Sequence, residues 1–127
     1  MKNCNELIFP LTIDSNMFIS IKPAAVLFGE ERVEAKTWVK VYTIILKRCN
    51  ADPKHHEMLM YLRGKVAGKC RVFLAAKPDG MRSPVKIDED MSGEAHYGSA
   101  TLIHILVNRI LAPTGFDCSD IHVVIRD

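Results

Sequence analysis

Apolar residues in this chain recur at two different periods, and the change of period along the sequence outlines its elements. Trp38, Val41, Tyr42, Ile45, Leu46 and Cys49 fall at the spacing of one buried helical face. Thr37 precedes them as a predicted N-cap. Lys36, Lys40, Thr43, Lys47 and Asn50 fall on the opposite, polar side. Asp52-Pro53 opens a second helix, because an acid caps and proline suits the first helical position. That helix is expected to run to about residue 63, burying Met58, Leu59 and Leu62, with Gly64 as its stop. Leu102, Ile103, Leu106, Val107 and Ile110 form the apolar face of a last helix, capped by Ser99 and ended by Pro113 and Gly115.

Shorter runs read as strands. Residues 24–28 and 32–34 flank Gly29-Glu30, a tight hairpin with glycine where φ must be positive. Residues 70–75 and 85–87 are strand-like and flank a Pro78-Asp79-Gly80 turn. Residues 88–93 read as an acidic turn, 94–97 as a further short strand, and 121–125 as a closing strand buried on both faces. Residues 1–22 read as an arm or an extra strand, with the strand at 17–21 closed by Pro23. The sum is a single α+β domain over residues 23–127, a mostly antiparallel sheet with two or three packed helices.

Size and composition agree with one domain. The chain has 127 residues, 48% hydrophobic and 25% charged, values of a globular domain with a real core. The early apolar run is broken by Pro10, Asp14, Ser15 and Asn16, too often for a membrane span, and it lacks a small-residue cleavage site. Cys4, Cys49, Cys70 and Cys118 form no CxxC pair, which argues against a disulfide framework or zinc knuckle and for a reducing compartment. Cys49 and Cys70 are expected to be buried small apolar residues. The expected location is the cytoplasm, with no membrane contact.

Charge changes the picture more. Residues 63–86 hold seven basic residues against one acid, while residues 87–127 hold two against seven. A formal net charge of +2 thus hides a basic middle and an acidic tail. A concentrated positive field attracts phosphate backbones or acidic protein faces. The candidate binding residues are Arg63, Lys65, Lys69, Arg71, Lys77, Arg82, Ser83 and Lys86, together with Lys36, Lys40 and Lys47 of the first helix. Ser83 and Gly80 add hydroxyl and N–H donors of the kind phosphates need.

Other chemistry is weaker. His55-His56-Glu57 resembles a metalloprotease helix, but HExxH needs a second histidine where this chain has Met60. Adjacent histidines on a helix also diverge by about 100°, so no metal is expected there. His96, Ser99 and His104 could supply a nucleophile and base, without the G-x-S-x-G elbow. The segment RGKVAGK fails as a P-loop: its first glycine is too close, Cys70 replaces Ser or Thr, and a helix precedes it. Asp88, Glu89 and Asp90 lack a calcium-loop pattern and are expected to be solvated.

From Val26 onward the chain resembles a small accessory domain of bacterial restriction–modification and mobile-element proteins, of the restriction-enzyme-adenine-methylase-associated (RAMA) type. The residues that carry the resemblance are Phe28-Gly29-Glu30, Lys36-Thr37-Trp38, Met81-Arg82-Ser83-Pro84-Val85-Lys86-Ile87, the passage 95–101 and Thr114-Gly115-Phe116-Asp117. The resemblance implies a DNA-associated role with no catalytic residue and no cofactor. The chain departs from it in being nearly all domain, which raises the alternative of a phage or mobile-element inhibitor of host defence, of anti-CRISPR or anti-restriction type. The first expectation is therefore a non-enzymatic binding protein that contacts nucleic acid, DNA ahead of RNA, or a nuclease complex carrying it. The second is the anti-defence inhibitor, and the third and weakest a small hydrolase built on His96, Ser99 and His104.

Overall fold

A computed structural model describes residues 6–65 and 72–126. Two antiparallel sheets and three main helices form a single α+β domain, as the two periodicities predict. The larger sheet has the order β1-β7-β2-β3, built from β1 (Glu6–Pro10), β2 (Lys22–Phe28), β3 (Glu31–Glu34) and β7 (Ile121–Arg126). The smaller has the order β4-β6-β5, built from β4 (Leu74–Ala75), β5 (Pro84–Asp88) and β6 (Met91–Glu94).

β7 is the interior strand the sequence suggests. Val123 and Ile125 join the main core, whereas Val124 points the other way and packs with Ala24 and Ala25. The β2–β3 hairpin turns at Gly29, whose φ is +63°, and the Gly29 N–H donates to the Asp120 carbonyl at 3.0 Å. That bond ties the hairpin to the start of β7. Pro23 lies inside β2, beside a register shift between Pro23 and Ala25. A bulge accommodates a residue that has no N–H to give the ladder.

Helix α1 (Trp38–Asn50) is capped by Thr37, whose Oγ1 accepts from the Lys40 N–H at 3.1 Å. It buries Val41, Tyr42, Ile45, Leu46 and Cys49. Trp38 itself is only half-buried; its ring packs against Phe18 with centroids 4.8 Å apart and its Nε1–H donates to the Ile21 carbonyl at 2.8 Å. Helix α2 (Pro53–Leu62) starts at the Asp52 cap and ends before Gly64, which has a φ of +76°. Leu59 and Leu62 are buried, while Met58 is 38% exposed, contrary to the periodicity. Helix α3 (Ser99–His104) continues as a π-helical stretch (Ile105–Leu111) and a closing turn (Ala112–Thr114). Leu102, Ile103, Leu106 and Ile110 lie in the core.

Three local expectations are corrected. The N-terminal strand is Glu6–Pro10 rather than 17–21; Ser15–Phe18 forms a 3-10 turn capped by Asp14, and this turn buries Phe18. The acidic turn is only Glu89-Asp90, because Met91–Glu94 is itself the middle strand of the small sheet. Ser99 is not a cap: Gly98 holds that position, and the Ser99 hydroxyl donates to the Phe18 carbonyl at 2.8 Å. It fastens the 3-10 turn to α3. Cys49 is buried as expected. Cys4 and Cys70, residues 66–69 of the loop expected after Gly64 and the first two residues of the strand expected at 70–75 lie outside the described residues; of that strand, Leu74–Ala75 forms β4.

Candidate nucleic-acid or partner interface

The basic segment is divided by the fold into cations engaged by the protein and cations left open. Arg63 belongs to the first group. Its Nε donates to the Met60 carbonyl at 3.0 Å and its Nη1 to the Asp90 carbonyl at 2.7 Å. The neighbouring Gly64 N–H donates to the Leu74 carbonyl at 2.7 Å. Together these bonds fasten the end of α2 to the small sheet, so Arg63 is a structural clamp. The Lys65 ammonium lies 4.6 Å from the centre of the Tyr61 ring, a cation–π contact on an exposed surface. Lys69 and Arg71 lie outside the described residues.

Lys77 and Lys86 line one cleft of about 400 Å³, with Pro78, Pro84 and Ser92 among its walls. Glu89 and Asp90 line the same cleft. The acids expected to be merely solvated are thus folded back toward the lysines by the β5–β6 turn. The local potential is mixed, weaker than the charge sum of residues 63–86 implies.

Arg82 and Ser83 are placed by Glu94, a fully buried carboxylate that sequence reasoning assigned to no site. Glu94 accepts from the backbone N–H groups of Arg82 at 2.9 Å, Ser83 at 2.8 Å and His96 at 3.1 Å. The Ala95 N–H also donates to the Ser83 carbonyl at 3.0 Å. The loop is therefore fixed at its backbone, while the Arg82 side chain remains exposed. Ser83 Oγ lies 3.3 Å from His96 Nδ1.

Lys77, Arg82 and Lys86 make no ion pair among the described residues. Other arginines differ. Arg32 bridges Glu6 and Glu34, and Arg48 bridges Glu31 at 3.0 Å, which holds the Glu31 carboxyl below its ordinary range.

The lysines at 36, 40 and 47 do not line the cleft that Lys77 and Lys86 share. Tyr42 of α1 meets Gly93 on one face of the small sheet. Val85 pairs with Gly93, and the next rung pairs Lys86 with Ser92 on the opposite face. Lys40 and Lys47 are exposed on α1, and Lys36 is exposed just ahead of its Thr37 cap.

The histidines disperse as their spacing predicts. His55 Nδ1 lies 2.9 Å from Asp52 and its ring stands edge-on to Phe116, whereas His56 Nδ1 meets Asn50 Oδ1 at 2.7 Å. Asn50 also donates to Asp88 at 2.8 Å; this bond and the Glu89 N–H hold the Asp88 carboxyl below its ordinary range. Among the described residues no group of three or more His, Cys, Asp or Glu is placed to hold a metal ion. His96, Ser99 and His104 do not assemble: their partners are Ser83, the Phe18 carbonyl and Asn108. Among the described residues no helix is long and apolar enough to cross a membrane.

No family model matches this chain, and no curated protein or solved structure matches it.

Proposed function

We propose that this chain is a non-enzymatic binding protein that contacts nucleic acid, DNA ahead of RNA, through the surface bearing Lys77, Arg82 and Lys86. The observation that carries this reading is the contrast among its cations. Arg32 and Arg48 are engaged by carboxylates, whereas these three are exposed and without an ion pair among the described residues. Cations that make no ion pair can neutralise phosphates at little cost in lost ion pairs. The fixed Arg82-Ser83 backbone adds preorganisation, since binding need not order that loop again. Lys69 and Arg71 belong to the same proposal by their place in the sequence.

A second reading, an anti-defence inhibitor docking on a host nuclease, is favoured by the mixed charge of the cleft. Glu89 and Asp90 beside Lys77 and Lys86 suit a polar protein face better than a bare phosphate backbone. Capture from bacterial lysate, with and without nuclease treatment, separates the two. If nucleic acid is the partner, the bound material is nucleic acid and everything captured with it is released by the treatment. A nuclease retained after complete digestion, with no nucleic acid in the untreated sample, overturns the first reading in favour of the second.

A further inference from the structure

The two edges of the larger sheet are unlike. β3 carries Glu31, Arg32 and Glu34 in its four residues, a charged edge of the kind that resists pairing. β1 reads Glu6-Leu7-Ile8-Phe9-Pro10, and on it Leu7 is 50% and Ile8 58% exposed. Met17 and Ile19 are exposed as well, so four of the seven exposed large apolar side chains among the described residues belong to β1 and the turn after it. Beside β1 opens a cleft of about 540 Å³ whose walls include Leu7, Phe9, Met17 and Ile21, with Lys22 and Arg126 also lining it.

The free edge of β1 has a definite register. β1 pairs with β7 through Leu7–Ile125 and Phe9–Val123, and one step beyond, the Leu11 N–H donates to the Ile121 carbonyl at 2.9 Å. Antiparallel ladders alternate, so Leu7 and Phe9 direct their backbone groups to β7, while Glu6, Ile8 and Pro10 direct theirs outward. Pro10, which has no N–H, occupies an outward position.

We propose that a second copy of this chain pairs antiparallel with β1 about a two-fold axis at Ile8, joining the two larger sheets into one. In this register Ile8 meets its own counterpart as a hydrogen-bonded pair, with Cα atoms about 5.5 Å apart. Leu7 faces Phe9 of the second copy as a closer pair, Cα atoms about 4.5 Å apart, which continues the apolar lining of the cleft across the axis. Glu6 faces Pro10 of the second copy. The outward rung that proline cannot complete therefore falls at the ends of the pairing, and no like charges meet within it. Glu6 is also already engaged by Arg32 at 3.1 Å. With the missing proline N–H at its ends and no like charges opposed, the edge is self-complementary in this one register, which is what an isologous contact requires.

Sedimentation velocity over a concentration series tests this, with amide hydrogen exchange of the wild type beside it. The wild type should form dimers, and its Ile8 N–H, which no strand among the described residues of the same copy covers, should become protected as dimers form. Ile8→Lys and Ile8→Glu should each be monomeric with an unchanged circular dichroism spectrum, because like charges then meet on the axis. Mixing the two variants should restore the dimer. A wild type that stays monomeric to its solubility limit overturns the proposal. So does a dimer with an unprotected Ile8 N–H, or one in which Ile8→Lys associates as the wild type does.

Discussion

Tyr42 of α1 and Gly93 of β6 meet so closely that a Cβ at position 93 would lie 3.2 Å from the phenol Cζ and overlap the hydroxyl oxygen. Gly93 is the residue of the middle strand where the helix reaches the small sheet. The Tyr42 hydroxyl is buried there with no hydrogen-bond partner among the described residues. Gly93→Ala should therefore destabilise by about 1–3 kcal/mol through overpacking. Tyr42→Phe should be neutral or stabilising, since an unpaired buried hydroxyl costs about 1–3 kcal/mol. Gly93→Ala in the Tyr42→Phe background should cost less than in the wild type. Urea denaturation of the four proteins measures the coupling, and additive effects would show that the two residues do not meet.

The alkaline limb of stability follows from two buried protons. Burial pushes the Cys49 thiol up to about 11, and burial followed by the nearby Glu94 carboxylate raises the Tyr42 phenol. Both groups hold in the native state protons that the unfolded chain releases at its lower, ordinary values. Their contribution is complete below about pH 8.5, where the unfolded thiol begins to ionise, and is lost as pH rises toward the folded values. Urea midpoints should fall between about pH 8.5 and 10. Cys49→Ala should lower stability at neutral pH yet flatten that fall. A midpoint constant across this window, in wild type and variant alike, would mean that the thiol is not buried in the native state.

Glu94 should matter more than its acidity suggests. Glu94→Ala leaves the N–H groups of Arg82, Ser83 and His96 without this acceptor. Charge-assisted hydrogen bonds are worth about 1.5–3 kcal/mol each, so losing all three is expected to cost at least about 4 kcal/mol. Amide exchange at Arg82 and Ser83 should accelerate well beyond that in α1. Unchanged exchange at both amides would contradict the clamp.

Leu106 is fully buried in the π-helical stretch. Leu106→Ala should cost about 2–5 kcal/mol by transfer and cavity formation. A loss within experimental error, measured by thermal or urea unfolding, would mean that this face is not packed.

Elements dictated by local chemistry were legible in the sequence. The apolar stripe of α1 with its Thr37 cap, the Asp52-Pro53 start of α2 and the Gly29 hairpin all carry their cause in adjacent residues. Elements decided by distant partners were not. The run 17–21 is apolar enough for a strand, but the Asp14 cap and the burial of Phe18 make its start a 3-10 turn. Met91–Glu94 contains a glycine and a glutamate, poor strand residues on their own, and is a strand because β4 and β5 flank it. Ser99 has the composition of a cap, yet its hydroxyl serves Phe18, 81 residues away. The charge segregation behind the candidate interface was legible as well. The return of Glu89 and Asp90 toward Lys77 and Lys86, and the use of Arg63 on backbone carbonyls, depend on tertiary pairing.

The salt dependence of nucleic-acid affinity tests the proposed function most directly. Fluorescence anisotropy with a labelled duplex and a labelled single strand, from low to physiological salt, should give a linear log–log plot. Each phosphate contact contributes about 0.7–0.9 to its slope through counterion release. Contacts by Lys77, Arg82 and Lys86 alone should give about −2 to −2.7, and further contacts by Lys69 and Arg71 should steepen it. The triple variant Lys77→Glu, Arg82→Glu, Lys86→Glu should lose this binding with an unchanged circular dichroism spectrum, since all three side chains are exposed. A wild type without affinity at low salt, or a triple variant that binds with the wild-type slope, would contradict the nucleic-acid reading.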